Sequence, residues 1–272
     1  VIQGLADAAV RGQEAGFDGV QIHAAHGYLI SAFLTPHTNR RTDAYGGSFE
    51  NRMRLLLEVY RAIRGRVGKD YPVILKMNGS DNLPLRRGLK PEGLVRIAQR
   101  MEAEGVDAIE ISAGRYESAF TFERGTWKGF FCTLTTIGVG TNLPGYRRLP
   151  IRLLAPVLDW GLRRVAGYRE GFNLPYARLF KQALRIPVIC VGGFVHREAM
   201  ESAIADGGCD MVSVARALIA DPFLYRHLRE GVQGPRCDFC NACFARGATW
   251  PVDCYNEEVR AQKNRMLEAE PG

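Results

Sequence analysis

Five short runs of continuous apolar, largely β-branched residues recur along the chain, at 20–24, 73–77, 108–113, 187–192 and 211–215. Unbroken runs of this kind predict strands covered on both faces, as in a parallel sheet flanked by helices, whereas a half-exposed strand would alternate. The stretches between them read as amphipathic helices with legible ends. Ser48 is placed to cap a helix whose apolar positions Met53, Leu56, Leu57, Tyr60 and Ile63 follow the three-to-four spacing; Pro91 suits a first helical turn and Gly105 the C-terminal exit. Strands alternating with helices build right-handed βα units. A doubly wound sheet and a (β/α)8 barrel both satisfy the pattern. No G-x-G-x-x-G follows a strand run, and polar residues gather just past the strand ends, which favours the barrel. The expected fold is therefore α/β, a partial (β/α)8 TIM barrel of about five C-terminal βα units, its N-terminal strands lying outside this sequence.

At 272 residues and 46% hydrophobic, the chain can build a large core. No run approaches the roughly 18 apolar residues of a membrane span. Its first residues, VIQGLADAAVRGQEAG, mix charged and apolar positions like a surface helix rather than a signal peptide. The expectation is a cytoplasmic protein with no membrane partner. A formal charge of +7 suits anionic ligands such as phosphates, but the basic residues are interspersed with acidic ones, so no nucleic-acid partner is expected. Residues 114–175, rich in Gly, Thr and aromatics, interrupt the rhythm and are expected to form an irregular excursion that shapes a substrate pocket or merely decorates the surface.

The strand run at 20–24 ends in VQIHAAHGYL, which sets His23, His26 and Tyr28 close together at a strand C-terminus, where barrel enzymes place their catalytic groups. Two imidazoles can donate hydrogen bonds to a carbonyl oxygen, and a phenol can deliver a proton to a carbon turning negative. His-x-x-His spacing is also compatible with metal ligation, though no third ligand stands close in sequence, and a structural role for the histidines is open on spacing alone.

The continuation, HGYL followed by NRRTDAYGGSFENR, and downstream SAG at Ser112, PVICVGGF and MVSVARALIADP, strongly resembles the old yellow enzyme family of FMN-dependent ene reductases and NADH:flavin oxidoreductases. The resemblance covers nearly the whole chain apart from the middle excursion. It implies that His23 and His26 hold a substrate carbonyl oxygen and that Tyr28 donates a proton opposite the hydride of FMN. It further implies that Gly192, Gly193, Ala215 and Arg216 bind the FMN phosphate, with Ala215 standing where relatives usually have Gly. Lys76, where the family commonly has Arg, would face the flavin's N1 edge; without the resemblance, a basic residue at a strand end simply neutralises an acid.

Four of the seven cysteines fall near the C-terminus, at Cys237, Cys240, Cys243 and Cys254. Two successive C-x2-C steps and a later fourth thiol suit a [4Fe–4S] cluster better than the separated knuckles of structural zinc. Such a motif resembles the branch of the family that holds 2,4-dienoyl-CoA reductase and trimethylamine dehydrogenase, where the cluster relays electrons to FMN. Cys132, Cys190 and Cys209 are expected to be small buried or semi-buried residues. The expected organisation is a partial FMN-binding barrel over 1–232 and an iron–sulfur segment with a tail over 233–272.

Together these readings describe an oxidoreductase that reduces an activated C=C bond of a small-molecule enone or enoyl ester, or oxidises a small amine or related substrate. Electrons would come from NAD(P)H, a separate reductase or another electron-transfer partner, and a homo-oligomer is open to it. Two other readings stand beside it: a non-catalytic barrel fragment with structural zinc, and an electron-transfer subunit acting on a protein.

Overall fold

A computed structural model of the chain describes residues 1–83 and 87–269; the last three residues of the expected C-terminal segment lie outside them. The chain divides into two compact units, one of Val1–Phe122, Asn173–Gly192 and Ser202–Ser213, the other of Glu123–Phe172, Gly193–Glu201 and Val214–Gly272.

The first unit is α/β. Its five strands, β1 (Val20–Ala24), β2 (Val73–Asn78), β3 (Ala108–Ser112), β4 (Val188–Val191) and β5 (Met211–Ser213), form one parallel sheet in sequential order. Each falls on one of the apolar runs. Because side chains alternate across a strand, Ile22, Leu75, Met77, Ile109, Ile111, Val188 and Cys190 are buried on one face. The other face carries Gln21, His23, Lys76 and Glu110. Coverage of both faces holds for β3, whose five residues are all buried, but not at the ends of the strand order, where Gln21 and His23 of β1 and Met211 of β5 are exposed. Terminal strands have a sheet neighbour on one side only, so less structure lies over them.

Helices Ile2–Glu14, Phe49–Val67, Pro91–Glu104 and Leu174–Ala183 pack next to one another in that order. Ser48 caps the second of these, its Oγ accepting the Asn51 N–H at 3.2 Å. Met53, Leu56, Tyr60 and Ile63 are buried as their spacing demands. Leu57 is only half-buried and lines a surface groove with Met53 and Arg61, while Leu55 and Val59 widen the inner stripe. Gly105 ends the third helix at φ 95°, a left-handed geometry that glycine adopts without steric cost.

In the second unit, much of the stretch expected to be irregular folds as short helices, Phe130–Thr136, Gly145–Leu153 and Ala155–Val165 among them. The signal was hidden because apolar side chains occupy more than one face of these helices, which blurs their period. Trp127, Phe130, Ala166 and Ala245 form one small core and Val195, Ala217, Leu224 and Phe239 another. Cys132, expected to be buried or semi-buried, is exposed, whereas Cys190 and Cys209 are buried. Among the described residues no helix is long and apolar enough to cross a membrane.

The tightest constraint at the end of β2 is Gly79. Its N–H donates to the Ser112 carbonyl at 2.7 Å, and a Cβ built on it would sit 2.4 Å from Cβ of Tyr176. Gly79→Ala is therefore expected to cost about 1–3 kcal/mol through overpacking, seen as a lower urea midpoint at unchanged slope.

Candidate active site

Parallel pairing sets residues of equal height side by side. His23 of β1 lies opposite Lys76 of β2, which lies opposite Glu110 of β3. Lys76 Nζ donates to Glu110 Oε1 at 2.6 Å, and Gln21 Nε2 donates to the other carboxylate oxygen at 2.9 Å. Glu110 is buried, so both of its oxygens need these partners. Lys76 is thus engaged by an acid.

Beyond β1 the chain turns sharply through Ala25–Tyr28. His26 takes φ 60° and Gly27 φ 85°, and a left-handed conformation at a non-glycine residue costs about 1 kcal/mol or more. The turn is held by Asn78 at the end of β2, whose side-chain oxygen accepts the His26 N–H at 3.1 Å. Asn78 donates in turn to Asp81 at 3.1 Å, and Asp81 accepts from the Thr35 hydroxyl at 2.8 Å and the Leu89 N–H at 2.7 Å. Thr35, Asn78 and Asp81 are all buried, so the network forms a rigid base under the turn.

The turn brings the three expected residues together. The His23 ring lies 4.9 Å from that of Tyr28 and 5.3 Å from that of His26. His26 Nε2 is 2.7 Å from Ser112 Oγ, and its ring stacks on Phe122 at 4.5 Å. Tyr28 is 46% exposed, its hydroxyl hydrogen-bonds with that of Tyr116, and the two rings meet edge-on at 4.9 Å.

Burial, then the charge of Lys76, lowers the proton affinity of His23, against the pull of Glu110. The same two causes, with His23 added, bring His26 down to about 3. Both rings are neutral near pH 7, each keeping one N–H to donate. A hydrogen bond with Tyr28 pushes the Tyr116 hydroxyl up to about 12, so Tyr116 holds its proton.

Ser112, Glu110, Tyr116 and Phe122 were not singled out from the sequence as parts of this site. An acid inside an apolar strand run was a usable signal for Glu110. Tyr116 and Phe122 sit in an aperiodic stretch with none.

The remaining expected residues fall elsewhere. Gly192 closes the strand segment of the first unit. In the second, Gly193 has φ 75°, and an added Cβ would meet Phe172 and Tyr168 at 3.1–3.2 Å, so side chains crowd the backbone there. Ala215 precedes a short helix, Arg216–Ala220. Arg216 Nη1 donates to the Arg124 carbonyl at 2.8 Å and to the Asn241 side chain, and its guanidinium lies 4.7 Å over the Phe239 ring. Arg216 therefore grips the cysteine loop.

In that loop Phe239 and Asn241 take positive φ, winding the chain between Cys237, Cys240 and Cys243. Burial pushes Cys237 up to about 11 and Cys240 up to about 12, and raises Cys243 and Cys254 as well; Cys237, Cys240 and Cys254 each lie close enough to Cys243 for their charges to interact. Among the described residues, however, no three His, Cys, Asp or Glu side chains are drawn together as a metal-holding group. Cys254 is buried, and Cys237, Cys240 and Cys243 are half-buried.

With this geometry in view, comparison with known proteins is decisive at the family level. The NADH:flavin oxidoreductase / NADH oxidase family matches residues 1–124 and 157–234. The chain belongs to that family. It is 37% identical over 243 residues to an NADH oxidase of Thermoanaerobacter brockii, covering 89% of this chain and 31% of that protein. It is 30% identical over 234 residues to a cinnamate reductase of Clostridium sporogenes, covering 81% of this chain and 29% of that one. A solved structure of 2-naphthoyl-CoA reductase with 2-naphthoyl-CoA superposes with a TM-score of 0.71 at 28% identity, over 97% of this chain and 34% of that chain. The chain thus spans about a third of the length of each of these relatives. The site turn and its anchors lie inside the oxidoreductase family's match. Residues 125–156 and the cysteine loop lie outside it.

The depressed His26 affinity makes a pH prediction. An unfolded imidazole protonates near 6.5 and the folded one near 3, so between these values the unfolded state binds more protons. Stability is expected to be flat with respect to this group above pH 6.5 and to fall as pH drops from 6.5 toward 3. The ring signals of His26 in NMR spectra should stay at neutral positions at pH 5; a midpoint near 6.5 would overturn the assignment.

Proposed function

We propose that this chain is the catalytic part of an FMN-dependent ene reductase that reduces a C=C bond conjugated to a carbonyl, with NAD(P)H as the electron source. The observation that carries the reading is the gathering of His23, His26 and Tyr28 at the C-terminal end of β1, over a buried polar base, in a chain of the NADH:flavin oxidoreductase family. The names of two relatives, a cinnamate reductase and a 2-naphthoyl-CoA reductase, add support for an unsaturated acid or thioester as substrate class.

In this reading the parallel sheet is an arc of a TIM barrel, with 1–232 as its flavin-binding part and 233–272 as a cysteine-rich segment. When bound, FMN supplies the hydride. His23 and His26, both neutral, donate hydrogen bonds to the carbonyl oxygen of the substrate, and Ser112 fixes the His26 ring through Nε2. Polarising the carbonyl makes the β-carbon electron-poor. The Tyr28 hydroxyl delivers a proton to the α-carbon as negative charge develops there, and Tyr116, which keeps its own proton, orients that hydroxyl. Lys76, paired with Glu110, brings its charge to the flavin-facing row without leaving an isolated cation.

Gly192, Gly193, Ala215 and Arg216 are proposed for the FMN phosphate. The fit is partial, since Arg216 already donates through Nη1 to Asn241 and to a backbone carbonyl. Cys237, Cys240, Cys243 and Cys254 are proposed as ligands of a [4Fe–4S] cluster on donor chemistry: four soft sulfur donors in one desolvated neighbourhood, with Arg216 acting on two of them. Iron and acid-labile sulfide analysis of anaerobically prepared protein tests this directly, and zinc in place of both would replace it.

Tyr28→Phe is expected to lower turnover of an enone or enoyl ester by about 10²–10⁴-fold while NADH still reduces the flavin at the original rate. Equal loss in both half-reactions would show that Tyr28 supports flavin binding rather than proton delivery.

A further inference from the structure

A segment that begins where the family match breaks off at 124 and runs on past its resumption at 157 is chemically unlike the rest of the chain. Residues 125–169 contain seven basic side chains and one acid, Asp159. That acid is buried, where its carboxylate accepts the Phe131 N–H at 3.1 Å. The exposed surface of the segment therefore carries positive charge only. Among the described residues, Arg147, Arg152, Arg163 and Arg164 meet no carboxylate; Arg147 and Arg164 lie instead over the rings of Tyr146 and Trp160, at 5.5 and 4.8 Å.

The apolar residues of the two helices are arranged as oddly. Helix Ala155–Val165 buries Ala155 and Asp159 and turns Leu162 into the small core around Trp127, which accounts for one face. Its other side still presents Val157, Trp160 and Val165 to solvent, Trp160 at 57% exposure. Helix Gly145–Leu153 buries no residue at all, and Tyr146, Leu149 and Leu153, one stripe at i, i+3 and i+7, stand open, Leu153 at 72%. A contiguous set of exposed apolar side chains on two neighbouring helices marks an interaction surface.

We propose that this helix pair is a peripheral docking surface for an anionic lipid bilayer. Exposed Leu, Val, Trp and Tyr side chains intermixed with arginines, with no exposed acid, match the composition of helices that lie in a membrane interface. Charge complementarity selects the occupant: each arginine is attracted to an anionic leaflet, while a second copy of the same face would bring like charges together. The pair is too short to span, so the association is reversible and salt-sensitive. The proposal revises the expectation of no membrane partner, which rested on the lack of a spanning segment.

The test is co-sedimentation of the full chain with vesicles of equal parts phosphatidylglycerol and phosphatidylcholine, and with phosphatidylcholine alone. Binding to the anionic vesicles is expected to be at least about tenfold stronger and to weaken severalfold in high salt. Two exposed-site variants, Leu153→Glu with Trp160→Glu and Arg163→Glu with Arg164→Glu, should each lower binding about tenfold or more while circular dichroism stays unchanged. Failure to sediment with either vesicle overturns the proposal. So does concentration-dependent dimerisation that Trp160→Glu abolishes, which would assign the face to a second copy of the chain.

Discussion

The site depends first on parallel pairing. In a parallel sheet the register fixes which residues share a row, and here it places a cation, Lys76, between an imidazole and a carboxylate. A buried carboxylate such as Glu110 is unfavourable alone; with Lys76 on one oxygen and Gln21 on the other it is satisfied. The pair then sets the field in which the histidines sit. Lys76 opposes protonation of both rings, while Glu110 offsets part of its effect on His23. A neutral imidazole keeps an N–H to donate and adds no charge, and Lys76 and Glu110 bias His23 and His26 toward that state through their field.

A second constraint acts through the backbone. The conformation of His26 is unfavourable by itself and persists because its N–H meets a fixed acceptor, Asn78, itself held by Asp81 and Thr35. Strain is stored where the surroundings over-determine it. Releasing Asn78 would free the turn to relax, and the rings of His23, His26 and Tyr28 would no longer share one small volume. Geometry at the surface is thus controlled by three buried polar residues, Asn78, Asp81 and Thr35.

What could be read from sequence follows the same physics. Strand positions were legible because apolar, β-branched residues cluster where the sheet is buried, with Gln21, His23, Lys76 and Glu110 breaking the clusters on one face, and helix ends because Ser48, Pro91 and Gly105 satisfy or terminate backbone groups in known ways. His23, His26 and Tyr28 were legible as a set because they are local in sequence. Their partners were not, since Ser112, Glu110 and Asn78 reach them only through strand pairing across the sheet. Arg216 and the cysteines show the limit from the other side. Spacing identifies donor types well, but how closely four thiols approach depends on packing around Phe239 and Asn241, which no spacing rule encodes.

The helices of 145–165 escaped detection for a related reason. Periodicity reveals a helix only when one face is apolar and the other polar. With Leu162 turned inward and Trp160 outward, the pattern loses its contrast, and the stretch reads as irregular. The loss of contrast is itself informative: Ala155–Val165 carries apolar groups on two sides, Leu162 packed within the fold and Val157, Trp160 and Val165 facing solvent.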